Sequence, residues 1–452
     1  MGFLKRLFGG GSQRDRVLVL GLDGVGLEFA HTLASQGVMP NLGNILAQGT
    51  VSPMLTTLPA VSTVAWATYA TGQNPGRHGV YGFVDREPNP FRVHIPDARD
   101  LKVPTLWDII GRAGRRVGVI NLPLTYPPKG VDGFMISCFL SPELGKATYP
   151  VELAPRLMEL DYRIDVDTSL AHDDTAAFLA DLDETMSRRF VTAFKLMQSE
   201  PWDFFHLHIM ATDRINHFLL PESQEGENGL SGEFLDFYRK LDSYVGELGH
   251  LLPDDCQLII VSDHGFTRTK ANLYLNYWLE ENGYLLFGRG KKELLNLHPE
   301  SRAYSLIPGR IYLNLKGREE HGSVERGKPY EELREELVHR LSGLTHPDTG
   351  EPLISKVHRR EDLYSGGQLN RAADLIVEAL PGFDLKANLG GPGLMGLPDL
   401  PGMHTTNGAF VCFKDIKALA DEDPVSLLDL APTILQLLDV AAPASLEGRP
   451  LL

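Results

Sequence analysis

Short apolar runs alternate with stretches of helical spacing along most of the chain. Each apolar run is long enough for a buried strand, and alternating strands and helices are typical of an α/β sheet with helices on both faces. Buried strands are predicted at Val17–Leu22, Val117–Asn121, Phe204–Ile209, Leu258–Ser262, Leu375–Glu378 and Phe410–Phe413. Helices are predicted at Thr63–Ala70, Leu106–Ala113, Asp173–Met197, Gly232–Leu251, Tyr330–Leu344 and Ser426–Leu437.

Residues 272–370 depart from this pattern. They contain Asn-Gly and Pro-Gly turns, a basic patch at Lys291 and Lys292, and a charged helix. We interpret them as an inserted cap lobe with a small sheet around Arg310–Leu315. The main domain then comprises residues 16–271 and 371–452. Residues 1–15 include the run Gly9-Gly-Gly-Ser12 and are predicted to form a flexible N-terminal tail.

Composition narrows the class of protein. The chain has 452 residues, of which 43% are apolar and 23% charged, as in soluble globular proteins. A net charge of −16 argues against a nucleic-acid polymer as partner, because such partners require a basic face. No apolar stretch approaches the roughly 20 residues that a transmembrane anchor needs. The three cysteines are widely spaced and odd in number, which predicts free thiols and a cytoplasmic location.

Carboxylates and histidines follow the ends of two predicted strands. Asp23 comes directly after the first strand, and the pair Asp263 and His264 ends the strand that contains Leu258. Ligands of open α/β sheets gather at the carboxyl ends of strands, so these side chains are predicted to lie together. Gly265 is expected to turn the chain, which lets Asp263 and His264 point toward the same site.

Three more residues complete a set of metal ligands. Asp213 and His217 stand four residues apart and share one face if this segment is helical. His404 follows Gly390–Gly402, a Gly- and Pro-rich segment predicted to form a loop over the site. Taken singly, these would be a surface pair and a solvated histidine. Together, carboxylates and imidazoles favour two divalent ions, zinc ahead of manganese, and phosphoryl chemistry. His206 and His208 do not belong to a recognisable set of metal ligands in the sequence and are interpreted as structural or exposed.

Ser62 is the candidate nucleophile. It precedes a helical pattern, at a position where free backbone N–H groups and the helix dipole favour an anionic oxygen. Metal coordination is one way to activate a serine hydroxyl. The alternative is that Ser62 only caps its helix, and Thr63 and Ser52 are the competing hydroxyls.

These motifs resemble the alkaline phosphatase superfamily, and most of all its type I phosphodiesterase / nucleotide pyrophosphatase branch in its prokaryotic soluble form. The resemblance runs from Val17 to the end of the chain. It implies an alkaline-phosphatase-like three-layer α/β sandwich, in which a mostly parallel central sheet carries helices on both faces and an inserted cap lobe. The segments that carry it are Leu22-Asp-Gly24, Thr71-Gly-Gln-Asn-Pro-Gly-Arg-His-Gly79, Asp213-Arg-Ile-Asn-His217, Ser262-Asp-His-Gly265, Asp429-Leu-Ala-Pro-Thr-Ile-Leu435 and Gly448-Arg-Pro-Leu451.

The resemblance divides the ligands between two sites. It implies one ion held by Asp213, His217 and His404. It implies a second held by Asp23, Asp263 and His264, with Ser62 completing the shell. The second ion would lower the pKa of the Ser62 hydroxyl, which would then attack phosphorus and give a phosphoseryl intermediate. The substrate would be a small-molecule phosphoester.

The chain departs from the secreted members of the branch at two positions. Those members usually have threonine as nucleophile, where this chain has Ser62. They also carry an asparagine that donates to a phosphoryl oxygen, and the matching position here is Phe83. The backbone N–H of Thr63 or the side chain of Asn121 could supply that donor. The second departure weakens the case for nucleotides more than the case for phosphoryl transfer.

Other reactions use a similar site. A phosphomutase of the cofactor-independent phosphoglycerate mutase type needs cations in the cap, and Arg310, Lys316 and Arg318 are candidates, although solvated surface charges are the commoner interpretation. A phosphomonoesterase and a non-catalytic metal-binding protein are further alternatives, and the intact ligand set argues against the latter. A sulfatase is disfavoured because the segment at Ser62 lacks the Cys/Ser-x-Pro-x-Arg pattern.

Overall fold

The structure, a computed structural model, describes residues 16–220, 232–416, 419 and 424–452. The predicted tail over residues 1–15 therefore lies outside the described residues. The strands are β1 (Arg16–Leu22), β2 (Thr50–Leu55), β3 (Asp85–Pro88), β4 (Phe91–His94), β5 (Val117–Ile120), β6 (Gly133–Ile136), β7 (Thr148–Tyr149), β8 (Phe204–Ile209), β9 (Cys256–Ser262), β10 (Gly265–Arg268), β11 (Ala271–Tyr274), β12 (Ala303–Leu306), β13 (Arg310–Leu313), β14 (Ile354–Arg359), β15 (Leu375–Ala379), β16 (Phe383–Lys386), β17 (Met395–Gly396), β18 (Gly402–Thr405), β19 (Phe410–Phe413) and β20 (Val425–Ser426). The α-helices are α1 (Leu27–Ser35), α2 (Pro40–Gln48), α3 (Ser62–Thr71), α4 (Pro75–His78), α5 (Leu106–Arg112), α6 (Leu153–Glu159), α7 (Leu170–Asp173), α8 (Thr175–Ser199), α9 (Ala211–Leu219), α10 (Gly232–Leu251), α11 (Leu275–Glu281), α12 (Lys328–Ser342), α13 (Arg360–Leu363) and α14 (Leu430–Leu437).

The central sheet has nine strands in the order β20-β2-β19-β9-β1-β8-β5-β6-β7. Its middle is parallel, since β1 pairs in parallel with both β8 and β9, and β5 continues the parallel array from β8 to β6. Strands β19 and β7 pair antiparallel with their neighbours toward the two edges. The carboxyl ends of β9, β1 and β8 therefore meet at one edge of the sheet, and the predicted mostly parallel sheet is confirmed.

Helices cover both faces of this sheet, which gives the three layers that were predicted. Successive side chains of a strand point to opposite faces. In β1, Leu18 and Leu20 pack into the apolar cluster formed with α8 and α10, whereas Val17 and Val19 pack into the cluster formed with α3, α5 and α14. Because these core residues are almost fully buried, β1 is fixed firmly between two apolar layers.

A second, smaller sheet of four strands lies in the order β12-β13-β15-β14, with α12 packed against it. Strand β15 was predicted as a buried strand of the main domain, but it pairs with β13 and β14 of the smaller sheet. An apolar run shows that a strand is buried and does not show which sheet contains it. The division of the chain at residues 272 and 370 stays a prediction, and the smaller sheet continues past residue 370 to Ala379.

The last predicted helix begins later than expected. Its α-helical part is Leu430–Leu437 rather than Ser426–Leu437, because Ser426 and Asp429 form a capping box around the 3-10 turn Leu427–Asp429. The other predicted helices and strands agree with the structure to within a few residues at each end.

The structure bears on the cysteines and on membrane-spanning helices. Cys138, Cys256 and Cys412 are free cysteines, as their spacing predicted. Among the described residues, no helix combines the length and apolar character needed to cross a membrane.

Buried ion pairs join the smaller sheet to the main domain. The guanidinium of Arg310, on β13, lies 3.0 Å from the Asp85 carboxylate on β3. The guanidinium of Arg86 lies 2.7 Å from Glu319, and both of these side chains are buried. Arg318 pairs with the buried carboxylate of Asp374 at 2.6 Å. The interpretation of Arg310 and Arg318 as solvated charges is therefore wrong: Arg310 joins the smaller sheet to the main domain, and Arg318 forms a pair beside β15, within the part that contains the smaller sheet.

Replacing Arg310 tests this junction. Arg310→Met leaves the Asp85 carboxylate buried without its counter-charge, so the free energy of unfolding should fall by about 3–5 kcal/mol. Lys316→Met is the matched control, because Lys316 forms an exposed ion pair with Glu325. This variant should lower the free energy of unfolding by less than about 1 kcal/mol. Urea unfolding followed by circular dichroism measures both variants, and equal effects would contradict a buried junction.

Candidate active site

The seven predicted site residues converge at the carboxyl edge of the central sheet. Asp23 directly follows β1, Asp263 directly follows β9, and Asp213 lies on α9, which begins just after β8. The potential ligand atoms of Asp23, Asp263 and His264 lie within 4.8 Å of one another, and so do those of Asp213, His264 and His404. The two groups share His264 and therefore adjoin.

The first group is fully buried. His264 Nε2 lies 3.4 Å from Asp23 Oδ1 and 3.4 Å from Asp263 Oδ2. The backbone N–H of Gly24 donates to Asp263 Oδ1 at 3.2 Å, which fixes one oxygen of that carboxylate. Gly24 has a φ of +69°, and a Cβ there would lie 2.4 Å from the Phe266 ring. Glycine at position 24 therefore lets the chain after β1 approach the carboxylate of Asp263.

The role expected of Gly265 differs from the one observed. Its φ lies outside the left-handed region, but a Cβ at this position would lie 2.2 Å from the carbonyl oxygen of Asn407. Gly265 begins β10, which pairs antiparallel with β18 and places Phe266 opposite His404. Glycine is needed here for this close approach, which brings His404 to the site. His404 thus lies in β18, directly after the segment that was predicted to form a loop.

His217 extends the group that contains Asp213 and His404, and Asp213, His217 and His404 are called the second group from here on. His404 Nε2 lies 3.0 Å from Asp213 Oδ1 and 2.8 Å from His217 Nε2. The Nδ1 atoms face backbone carbonyls, at 3.0 Å from Gly402 for His217 and 3.0 Å from Ala60 for His404. A carbonyl oxygen can only accept a hydrogen bond, so each neutral ring carries its hydrogen on Nδ1 and directs its Nε2 lone pair into the cluster. Two lone pairs aimed at one region fit a shared cation.

The electrostatics of the first group also fit a cation. Burial and the nearby Asp23 charge raise the pKa of Asp263 well above its usual range. Asp263 Oδ2 is buried and has no hydrogen-bond partner among the residues that the structure describes. A buried carboxylate oxygen without a hydrogen bond is costly, and a divalent ion bound to it would remove that cost. Oxygen and imidazole donors of this kind suit zinc or manganese.

Neighbouring imidazoles keep the other two carboxylates ionised. Burial raises the pKa of Asp23, but His208 and His264 outweigh burial and hold that pKa well below its usual range. Burial likewise raises the pKa of Asp213, yet His217 and His404 bring it down to about 2. Burial lowers the pKa of His217 to about 4, so this ring is neutral at pH 7 and able to bind a metal.

Ser62 is the first residue of α3, and the N-cap is Val61, so Ser62 is not the cap itself. Its hydroxyl donates to Asp23 Oδ1 at 3.0 Å and lies 3.2 Å from His264 Nε2. The side chain is therefore directed at the ligand group and does not cap its own helix. The competing hydroxyl of Ser52 donates to the carbonyl of Pro53, whereas the Thr63 hydroxyl is buried and has no partner in the described part of the chain.

The side chain of Asn121 forms its hydrogen bonds away from the ligand groups. Its side-chain amide donates to the carbonyl of Ile164 at 2.7 Å, and its backbone has a φ of +62° at the end of β5. No hydrogen bond found within the described ranges joins Asn121 to the ligand groups. Its predicted contact with a phosphoryl oxygen stays a prediction.

His208 and Trp66 contact the site but were missed from the sequence. Trp66 Nε1 donates to Asp23 Oδ2 at 2.9 Å, and His208 Nε2 lies 3.0 Å from the same oxygen. Both hold Oδ2 and leave Oδ1 to face Ser62 and His264. Gly21 makes room for them, because a Cβ there would lie 2.9 Å from His208 and 3.0 Å from Trp66. One signal was available: Trp66 stands four residues after Ser62, on the same helix face.

A cavity of about 510 Å³ opens beside the second group. His217 and His404 line it on the side of the ligands, and strands β15 and β16 line it on the opposite side. Its wall carries the apolar side chains of Leu58, Val61, Phe83, Ile307, Val377, Phe383 and Met403. Its charged groups are Glu378, Asp384 and Lys386, and Lys386 pairs with Asp384 at 2.6 Å.

Comparisons with known proteins agree with this architecture. The family model described as type I phosphodiesterase / nucleotide pyrophosphatase matches residues 17–409. The fold is similar to that of phosphonoacetate hydrolase from Sinorhizobium meliloti 1021, with 18% identity, a TM-score of 0.65, and coverage of 95% of this chain and 96% of that one. It is also similar to murine ectonucleotide pyrophosphatase / phosphodiesterase 5, with 15% identity, a TM-score of 0.58, and coverage of 95% and 96%. No curated protein sequence matches the chain.

Trp66→Phe tests the contact that orients Asp23. The variant keeps the ring packing and removes the indole donor to Asp23 Oδ2, so metal affinity should fall by about 10–100-fold. Trp107→Phe is the matched control, because the buried Trp107 Nε1 has no hydrogen-bond partner in the described chain. Competition with a fluorescent zinc chelator measures both variants. Unchanged affinity in Trp66→Phe would contradict the role of this hydrogen bond.

Proposed function

The chain belongs to the type I phosphodiesterase / nucleotide pyrophosphatase family, and from that premise we propose that it is a phosphodiesterase acting through a phosphoseryl intermediate on Ser62. The family consists of metal-dependent hydrolases of phosphoric esters. One observation supports Ser62 as the nucleophile. Its hydroxyl oxygen lies 3.0 Å from Asp23 Oδ1 and 3.2 Å from His264 Nε2, inside the candidate ligand set.

Two divalent ions fit the donors at the carboxyl edge of the sheet. Asp23, Asp263 and His264 would hold one, with Ser62 beside it, and Asp213, His217 and His404 would hold the other. When bound, such ions supply positive charge that favours an ionised nucleophile and offsets the charge on a transferring phosphoryl group. We propose zinc in preference to manganese because three imidazoles take part with the carboxylates.

The chain's own residues supply the nucleophile and its setting. The oxygen of Ser62 forms the bond to phosphorus, and the bond from phosphorus to the leaving alcohol breaks. The Ser62 hydroxyl donates a hydrogen bond to Asp23 Oδ1, which orients its oxygen, and the departing alcohol leaves with one proton, which balances the proton that Ser62 loses. Ser62 begins α3, where the unpaired backbone N–H groups of the first turn favour negative charge on the phosphoryl oxygens. Water then hydrolyses the phosphoseryl group and releases a phosphate monoester.

The cavity favours a diester over the other substrates. A diester carries a second organic substituent, and the cavity of about 510 Å³ beside His217 offers an apolar wall for it. A phosphomutase would need cationic side chains facing that cavity. Arg310 and Arg318 are instead committed to buried ion pairs, and Lys316 pairs with Glu325 on the surface. Phosphomonoester hydrolysis is the remaining alternative. A comparison of diester and monoester substrates distinguishes it from phosphodiester hydrolysis.

Hydrolysis of bis-p-nitrophenyl phosphate and of p-nitrophenyl phosphate by the zinc-loaded protein tests the proposal. We expect faster cleavage of the diester, abolished by a chelator. Ser62→Ala should lower kcat by about 10³-fold or more, since the covalent step is lost. Acid quenching during turnover should trap phosphate on the peptide that contains Ser62.

Ser52→Ala is the matched control, because its hydroxyl contacts only the neighbouring Pro53 carbonyl and should be dispensable. Near-normal turnover by metal-loaded Ser62→Ala would overturn the assignment and direct attention to Thr63. Faster cleavage of the monoester would replace the diesterase by a phosphomonoesterase.

A further inference from the structure

One guanidinium lies directly beside the candidate ligands. Arg214 follows Asp213 on α9, and its NH1 atom lies 3.6 Å from Asp213 Oδ2. Its side chain is 19% exposed, so part of the guanidinium reaches solvent while the rest is buried. Among the described residues, the lysine that lines the neighbouring cavity is already paired with a carboxylate. Arg214 lies outside the lining of that cavity, but its position beside Asp213 places a cation next to the candidate ligands.

Most of the hydrogen-bonding capacity of Arg214 is unused. Its NH2 group donates to Asp165 Oδ2 at 2.7 Å, which anchors one end of the guanidinium. Its Nε is buried without a hydrogen-bond partner in the described part of the chain. The 3.6 Å separation from Asp213 is too long for a hydrogen bond, so NH1 is uncommitted as well. Arg214 therefore keeps N–H donors beside Asp213 that no group in the described part of the chain fills.

Aromatic rings fix the plane of this guanidinium and connect it to the cavity. The Cζ atom of Arg214 lies 5.2 Å from the centre of the Phe139 ring. Phe139 in turn stacks on Phe83, with ring centres 6.1 Å apart and planes inclined by 26°. Phe83 lines the cavity together with His217 and His404. The Phe139 ring therefore contacts the guanidinium beside Asp213 and, through Phe83, connects it to the wall of the cavity.

We propose that Arg214 binds a non-bridging oxygen of the substrate's phosphoryl group. The inference rests on the proposed diesterase function, because the phosphorus must lie against Ser62 and between the two ligand groups, one of which contains Asp213. A planar guanidinium with free N–H donors matches the oxygens of a phosphate. Asp165 acts as a positioning residue, since it holds the far side of the same group.

Substitution of Arg214 tests this in the full-length, zinc-loaded protein. Arg214→Met should weaken binding of inorganic phosphate, measured by calorimetry, by about 10-fold or more, and should lower kcat/KM for bis-p-nitrophenyl phosphate by about 10²-fold. The content of bound metal should not change. Added guanidinium ion should restore part of the activity of Arg214→Met, which a purely structural role would not allow. Arg239→Met is the matched control, since Arg239 is half exposed and, within the described ranges, its ion pair is with Asp236.

Two results would overturn the proposal. Phosphate affinity of Arg214→Met within about twofold of wild type would show that Arg214 does not contact the anion. Loss of bound metal would show that Arg214 only supports Asp213. Should Arg214→Met fail to fold, Arg214→Lys carries the same test, because a lysine keeps the charge and loses the planar fork. If the wild-type protein cleaves no diester, the proposed function fails, and phosphate binding still decides the role of Arg214.

Discussion

Three carboxylates held together at one buried edge of the central sheet are the constraint on which the rest of the site depends. Asp23, Asp213 and Asp263 are each nearly inaccessible to solvent, and they come from three neighbouring parallel strands or the helix that follows. Negative charges so close together raise each other's free energy unless cations accompany them. The parallel register of β9, β1 and β8 forces this meeting, because it brings their carboxyl ends to the same level.

The remaining features control where these charges point. Trp66 and His208 hold one oxygen of Asp23, and carbonyl oxygens of Gly402 and Ala60 fix the tautomers of His217 and His404. Such outer contacts decide which lone pairs face an ion. The buried ion pairs of Arg86 and Arg310 then fix the smaller sheet above the same edge, so that the cavity has a defined wall. Ligand orientation and cavity shape thus have separate physical causes.

Part of this was readable in the sequence because the signals are local. A strand followed at once by Asp263 and His264 places both side chains at the sheet edge, and spacing places Asp213 and His217 on one helical turn. The contacts that were missed connect distant segments. His208 appears unremarkable in its strand until register sets Gly21 opposite it and brings it beside Asp23. Arg310 was interpreted as solvated because its partner, Asp85, is far away in the chain. Strand β15 was assigned to the main domain because an apolar run does not show which sheet contains it.

Anomalous X-ray scattering at the zinc edge, from crystals of the zinc-loaded protein, tests the central claim most directly. The account predicts two peaks in each molecule at the carboxyl edge of the sheet. One should lie among Asp23, Asp263 and His264, within reach of Ser62, and the other among Asp213, His217 and His404. A single peak, or peaks confined to other parts of the surface, would contradict a two-metal phosphodiesterase.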